Sequence, residues 1–156
     1  MAGHQDGSPL DVVFDGQCGV CTRAALWLAA RDRRGRIRVH PAQRPGVLTE
    51  FGISEEAASQ AAWAFEARGP RSGSGAVPST DRASYRGAAA INRALDVAFG
   101  IRVFLPLYRL PGIRWAQDRV YQWVAENRFR LRGVTPWCQT HPEDCPGVTG
   151  PASCVL

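Results

Sequence analysis

Asp11-Val-Val-Phe-Asp15-Gly-Gln-Cys18-Gly-Val-Cys21-Thr-Arg-Ala-Ala-Leu-Trp-Leu-Ala-Ala30 is the stretch whose reading decides the fold. A short apolar run from Asp11 to Phe14 stops at Asp15-Gly16, a turn signal, and a segment rich in Ala and Leu follows the two cysteines. The order is strand, tight loop, C-x-x-C, helix. A cysteine at a helix start faces unpaired N–H groups and the positive end of the macrodipole, which favour its thiolate. A second cysteine three residues on lies about one turn away, within reach of a disulfide. Cys18 is therefore expected to be the exposed nucleophile and Cys21 the buried resolving thiol. The helix carries Cys21, Ala24, Ala25 and Leu28 at i, i+3, i+4, i+7, a face expected to pack on a sheet.

Arg31, Arg33 and Arg34 crowd the end of that helix, where cations suit the dipole, and Gly35 follows. Arg36-Ile-Arg-Val-His40 alternates as a second strand. With a helix between them, the two strands read as a parallel βαβ unit with a right-handed crossover. That topology puts His40 and Gln43 toward the sheet edge that carries Cys18. His40 is a candidate to accept a proton or orient a thiol, set against an ordinary solvated strand end.

Residues 45–51 and 54–59 read as short helical pieces, and 61–66 alternates as a third strand with Trp63 and Phe65 on one face. The Gly, Pro and Ser-rich stretch 68–80 reads as a loop within a hairpin, and 82–85 is the better candidate for its returning strand. Residues 88–99 form a helix with Ala88, Ile91, Leu95 and Ala98 in line, closed by Gly100. Residues 101–115 are apolar but carry three arginines and are broken by Pro106 and Pro111. They suit either short helices capping the sheet or a surface that meets a membrane or a partner protein. A long helix is expected over 113–130, with Ile113, Ala116, Val120, Trp123, Val124 and Asn127 inward; from Gly133 onward prolines make the chain loop-like.

The pattern predicts an α/β fold, a thioredoxin-like βαβ…ββα core with a helical C-terminal extension. Residues 1–9 are expected to be a disordered leader, 10–133 a single domain, and 134–156 a tail containing Pro and Cys. All nineteen basic residues are arginine, in a chain of net charge +5, so lysine chemistry is excluded: no Schiff base and no P-loop lysine. The basic balance is read as surface charge without nucleic-acid binding. No apolar signal segment or membrane-length run is present, which places the chain in the cytoplasm as an expectation. In a reducing compartment a C-x-x-C beside a βα pattern reads as redox or metal chemistry before it reads as a staple.

The signature Asp15, Cys18, Cys21, followed in register by Trp27-Leu28, Asp32, Gly35 and Gln43, resembles the DCC family of thiol-disulfide oxidoreductases, named for D-x-x-C-x-x-C. A second block is similar to that family as well: Val120-Tyr121, Val124-Ala125, Asn127-Arg128-Phe129-Arg130, Gly133, then Cys138. The resemblance implies a thioredoxin-like fold and disulfide exchange with a protein or small-molecule partner, without a cofactor beyond the Cys18–Cys21 pair. Thioredoxin-like redox enzymes carry a cis-proline before the third strand. Here Ser59-Gln60 stand there, so either the strand register or the substrate face differs.

Asp15 is a poor activator of Cys18, since a carboxylate opposes a thiolate. It is expected to accept loop N–H groups or to take the proton of Cys21. Arg128 and Arg130 are candidates to pair with Asp15 or Asp32 or to hold an anion, with Asn127 beside them. Cys138-x-x-His141-x-x-x-Cys145 departs from common zinc spacings, so no metal is assigned; Cys138 and Cys145 are instead a candidate second redox pair. The competing functional class is a non-catalytic thioredoxin-like module that binds a partner, such as a membrane protein, through residues 101–115.

Overall fold

The computed structural model describes residues 9–66 and 83–148. Most of the expected leader, the 68–80 loop and Cys154 lie outside the described residues. Four strands form one mixed sheet in the order β2-β1-β3-β4: β1 (Leu10–Phe14), β2 (Ile37–Pro41), β3 (Trp63–Glu66) and β4 (Ala83–Arg86). β1 runs parallel to β2 and antiparallel to β3, which pairs antiparallel with β4. This is the thioredoxin-like α/β arrangement expected from the sequence.

β1 is buried along its whole length because both faces of the sheet are covered. Leu10 and Val12 point to one side, where α1 (Gly19–Arg31) and α4 (Ala88–Phe99) supply Leu28, Ala90, Ala94 and Val97. Val13 points to the other, where α2 (Val47–Phe51) and α3 (Glu55–Gln60) close over Phe65 with Phe51 and Ala58. Trp63 and Phe65 share that face as the alternation predicts, and their rings stack. Asp11, buried in the central strand, accepts from Arg38 Nη2 at 3.2 Å and lies 2.9 Å from His40 Nε2, so its charge is paired.

On α4 Ala88 and Ala98 are buried as expected, while Ile91 and Leu95 are half-buried, and burial extends to Ala90, Ala94 and Val97. It also takes in two polar residues one helical turn apart, Asn92 and Asp96. Asp96 Oδ1 accepts from the backbone N–H groups of Val103 (2.9 Å) and Phe104 (2.8 Å), and Oδ2 accepts from Leu105 (3.1 Å). It thereby satisfies the open N-terminus of α5 (Phe104–Tyr108). Short helices do form in 101–115, yet α5 buries no residue, and Ile101, Val103, Leu107 and Leu110 stay exposed.

The long helix α6 (Pro111–Asn127) forms with Pro at its start, as suits the first turn. Its expected packing face is corrected by the structure: no residue of α6 is fully buried, and Val120 and Trp123 are exposed. The helix is held by hydrogen bonds at separate points. Asn92 Nδ2 donates to Gln117 Oε1, Ala62 N–H donates to the Tyr121 hydroxyl at 2.9 Å, and Tyr108 donates to Asp118 at 2.7 Å. Among the described residues no helix is long and apolar enough to cross a membrane.

Replacing Asp96 with Ala strands three N–H groups at the start of α5. A loss of about 2 kcal/mol in a denaturant titration is expected. Asp96→Asn, which keeps one accepting oxygen, should lose less, and equal losses would show that the contact is not the anchor.

Candidate thiol-disulfide site

Cys18 is the N-cap of α1, with extended backbone, and its Sγ accepts the N–H of Cys21 at 3.2 Å. The two cysteines form a disulfide, their Cα atoms 5.2 Å apart, as the spacing allows. The preceding turn is fixed by side chains. Asp15 Oδ1 accepts from Gln17 N (3.0 Å) and from Gln43 Nε2 (2.9 Å), and Gln43 Oε1 accepts from Gly16 N (2.9 Å). Gln43 is thus brought into the loop, and Asp15 has the turn-capping partners expected of it. Arg128 Nη1 lies 3.5 Å from Asp15 Oδ2 and donates to Ser59 O at 2.7 Å. Arg128 is thus one of the points at which the second sequence block meets the first.

Other candidates are placed elsewhere. His40 sits on the sheet face opposite α1, held by Asp11 and tilted against the Phe51 ring at 5.4 Å. Asn127 Nδ2 donates back to Trp123 O within its own helix, and Arg130 is exposed. Asp32 serves the end of α1 instead, accepting from Ile37 N at 2.6 Å and pairing with Arg36. Ser59 and Gln60 precede β3, and there is no cis peptide among the described residues.

The expected exposure of the two cysteines is reversed. Cys18 is 0% exposed, whereas Cys21 is half-buried and opens onto a cleft. The cause lies in the segment from Gly133, expected to be loop-like, which crosses the C-x-x-C loop and contains α7 (Trp137–Thr140). Val134 N donates to Gly19 O (3.3 Å), Trp137 N to Thr22 Oγ1 (3.1 Å), and Cys138 N to Gly16 O (3.0 Å). Trp137 also packs edge-on against Phe14, ring centroids 6.0 Å apart. The approach at Gly19 and Gly133 is so close that a Cβ on Gly133 would stand 2.2 Å from the Gly19 carbonyl carbon.

Cys138 and Cys145 form a second disulfide inside this cover, both buried. Bonded to each other, they do not present thiolates to a metal, and no group of three or more metal-ligating side chains occurs among the described residues. The cover is fastened at its far end by Asp144, which accepts from Arg44 Nη2 (2.7 Å) and from Trp137 Nε1 (3.0 Å). These bonds, that to Arg44 foremost, hold the Asp144 carboxyl below its ordinary range. Gly19, Thr22, Arg44, Trp137 and Asp144 were not singled out by sequence reasoning. Only the Gly133 and Cys138 positions of the second block hinted at the cover.

The cleft beside Cys21 has a volume of about 490 Å³ and runs beneath α6. Val12, Phe14, Val20 and Ala24 wall the end near Cys21, and Ile91 and Ala116 lie further along. Burial pushes the Tyr121 phenol on its wall above its ordinary range, so the hydroxyl stays neutral.

Gly133→Ala should lift the cover. In reduced protein, alkylation of Cys18 is expected to accelerate while the melting temperature falls; unchanged Cys18 labelling would contradict the shielding. Because the Asp144 carboxyl is depressed, its contribution to the fastening is complete above the ordinary aspartate pKa, about 3.9, and is lost only as pH falls through the lower folded value. The Trp137 indole N–H resonance should therefore titrate with a midpoint below that ordinary value. A midpoint at the ordinary value would mean that the contact is not formed in solution.

The family model described as DCC1-like thiol-disulfide oxidoreductase matches residues 12–134, which include β1, both C-x-x-C cysteines, Arg128 and the Gly19 and Gly133 contact. No curated protein and no solved structure matches the chain. With most of its length matched and a bonded C-x-x-C pair at the head of a helix, the chain belongs to the DCC1-like thiol-disulfide oxidoreductase family.

Proposed function

We propose that this protein exchanges the Cys18–Cys21 disulfide with external thiols and disulfides. The observation that carries the reading is the bonded pair at the start of α1, with Cys18 Sγ facing a helix N–H and Cys21 reachable from a cleft. A helix N-terminus favours the thiolate of Cys18, the form in which a sulfur leaves or attacks in exchange. In this reading Cys18 and Cys21 carry the redox change. Asp15 and Gln43 hold the turn, and Asp15, which lines the same cleft as Cys21, is the candidate proton acceptor for it. Arg128 keeps the Asp15 carboxylate oriented. Cys138–Cys145 acts as a staple in the cover, and no cofactor is required.

A second reading is favoured by one feature. Trp27, Phe99 and Phe104 form a chain of ring contacts, and Phe99, Ile101, Val103 and Leu107 are exposed around it. Such a patch suits a partner protein, one in a membrane included, on a module that performs no exchange.

Equilibration of the protein with reduced and oxidised glutathione separates the two. The first reading expects a defined reduction potential that disappears in the Cys18→Ser/Cys21→Ser double variant and survives in Cys138→Ser/Cys145→Ser. If the wild-type protein shows no redox equilibrium while Trp27→Ala or Phe99→Ala abolishes partner capture, the binding-module reading holds.

A further inference from the structure

The cleft under α6 and the exposure of Cys21 point together to a substrate class. We infer that the cleft binds a small, uncharged, largely apolar thiol or disulfide, and that Cys21 is the sulfur that reacts with it. This rests on the exchange reading above and specifies its substrate.

Cys21 lines the cleft, whereas Cys18 lies under the 133–138 cover. A substrate in the cleft therefore reaches the disulfide at Cys21. Charge narrows the class further. Of the described residues lining the cleft only Asp15 and Arg128 are charged, and they pair with each other. The remaining polar groups are neutral, amides such as Asn92 and Gln117, which are bonded to each other, and the Tyr121 hydroxyl. A charged body placed there would lose hydration without gaining a partner, while an uncharged apolar one gains by burial. Size points the same way. The volume is that of a small-molecule site, and the lining positions on α6 from Ala116 to Ala125 span ~14 Å at the helical rise. The helix above is tethered by hydrogen bonds at separate points, and among the described residues it leaves an apolar cleft beneath it.

The chemistry balances from the disulfide form. A substrate thiolate RS⁻ attacks Cys21 Sγ; the R–S–S–Cys21 bond forms and the Cys18–Cys21 bond breaks. Cys18 leaves as a thiolate, received by the Cys21 N–H and the helix N-terminus. A second thiolate of the same substrate attacks the R sulfur of the mixed disulfide, releasing RSSR and the Cys21 thiolate. Two RSH are oxidised, the protein disulfide is reduced to two thiols, and the two substrate protons end on protein thiols or solvent. An apolar disulfide runs the same steps in reverse on reduced protein.

The test uses the full chain with Cys154→Ser to silence that thiol, carrying either Cys18→Ser or Cys21→Ser. Each variant reacts with neutral 4,4′-dithiodipyridine and with charged glutathione disulfide, and each rate is divided by that of the same variant unfolded in urea. The Cys18→Ser protein, with Cys21 free, is expected to react with the neutral disulfide at least about tenfold faster than the Cys21→Ser protein does. It should also prefer the neutral over the charged disulfide by about tenfold. Ala116→Trp and Val120→Trp, both at exposed positions on the cleft, should each lower that preference about fivefold. Faster reaction at Cys18, equal rates with the two disulfides, or a preference untouched by both tryptophans overturns the inference. Exchange with glutathione at Cys18 overturns it while leaving the oxidoreductase reading intact, and the absence of exchange at either thiol overturns both.

Discussion

The backbone contact between Gly19 and Gly133 is the constraint on which the site depends. A C-x-x-C pair at the head of a helix leads one to expect an outward-facing first sulfur. Here the chain returns 114 residues later and lies against the loop so closely that neither position has room for a Cβ. The hydrogen bonds that follow, from Val134, Trp137 and Cys138 to Gly19, Thr22 and Gly16, extend this contact into a cover. Its far end is fixed by Arg44, Asp144 and the Cys138–Cys145 bond. The burial of Cys18 follows from this contact, as does the assignment of Cys21 to the cleft.

The cleft itself follows from how α6 is attached. A helix docked by an apolar stripe closes against the core, and its contact residues are buried. α6 is joined through Gln117, Tyr121 and Asp118 to partners on α4, before β3, and on α5, with Arg128 just past its end reaching Asp15. Each tether satisfies a polar group at one point, and the apolar surface of α1 and α4 between them is left uncovered. The polar residues buried on α4, Asn92 and Asp96, are what make this attachment possible. They hold α6 and α5 respectively, with α6 lying over the reactive loop and its apolar floor.

The βαβ unit, the hairpin strands and α4 were legible in the sequence because each is set by local signals: alternation in 61–66, a Gly at the end of α4, and an apolar run closed by Asp15-Gly16 in β1. Two helix faces were legible only in part. Helical periodicity assigned Ala88, Ile91, Leu95 and Ala98 inward on α4; Ala88 and Ala98 are buried and Leu95 packs against the core, but Asn92 and Asp96, with partners on α6 and α5, are buried as well, and Ile91 lines the cleft. On α6 it chose Val120 and Trp123, both of which stay exposed: Val120 lines the open cleft without closing on its apolar floor, and Trp123 is not among the cleft residues. In the site, Asp15, Cys18, Cys21, Gln43 and Arg128 were marked by the family pattern and are joined in one network. The relative exposure of the cysteines was not legible. It depends on a contact across 114 residues, made by two glycines whose role in sequence is indistinguishable from that of a turn.

The cover and the cleft divide the labour of the disulfide between its two sulfurs. In the proposed exchange Cys18, which accepts the Cys21 N–H and is buried, is the leaving sulfur, and Cys21, open to the cleft, is the one that meets the substrate. Pulse alkylation of fully reduced wild-type protein, read by peptide mass spectrometry at each cysteine, measures this division directly. Labelling of Cys21 well ahead of Cys18 is the expected result, and labelling of Cys18 first, or of both at equal rates, would contradict it.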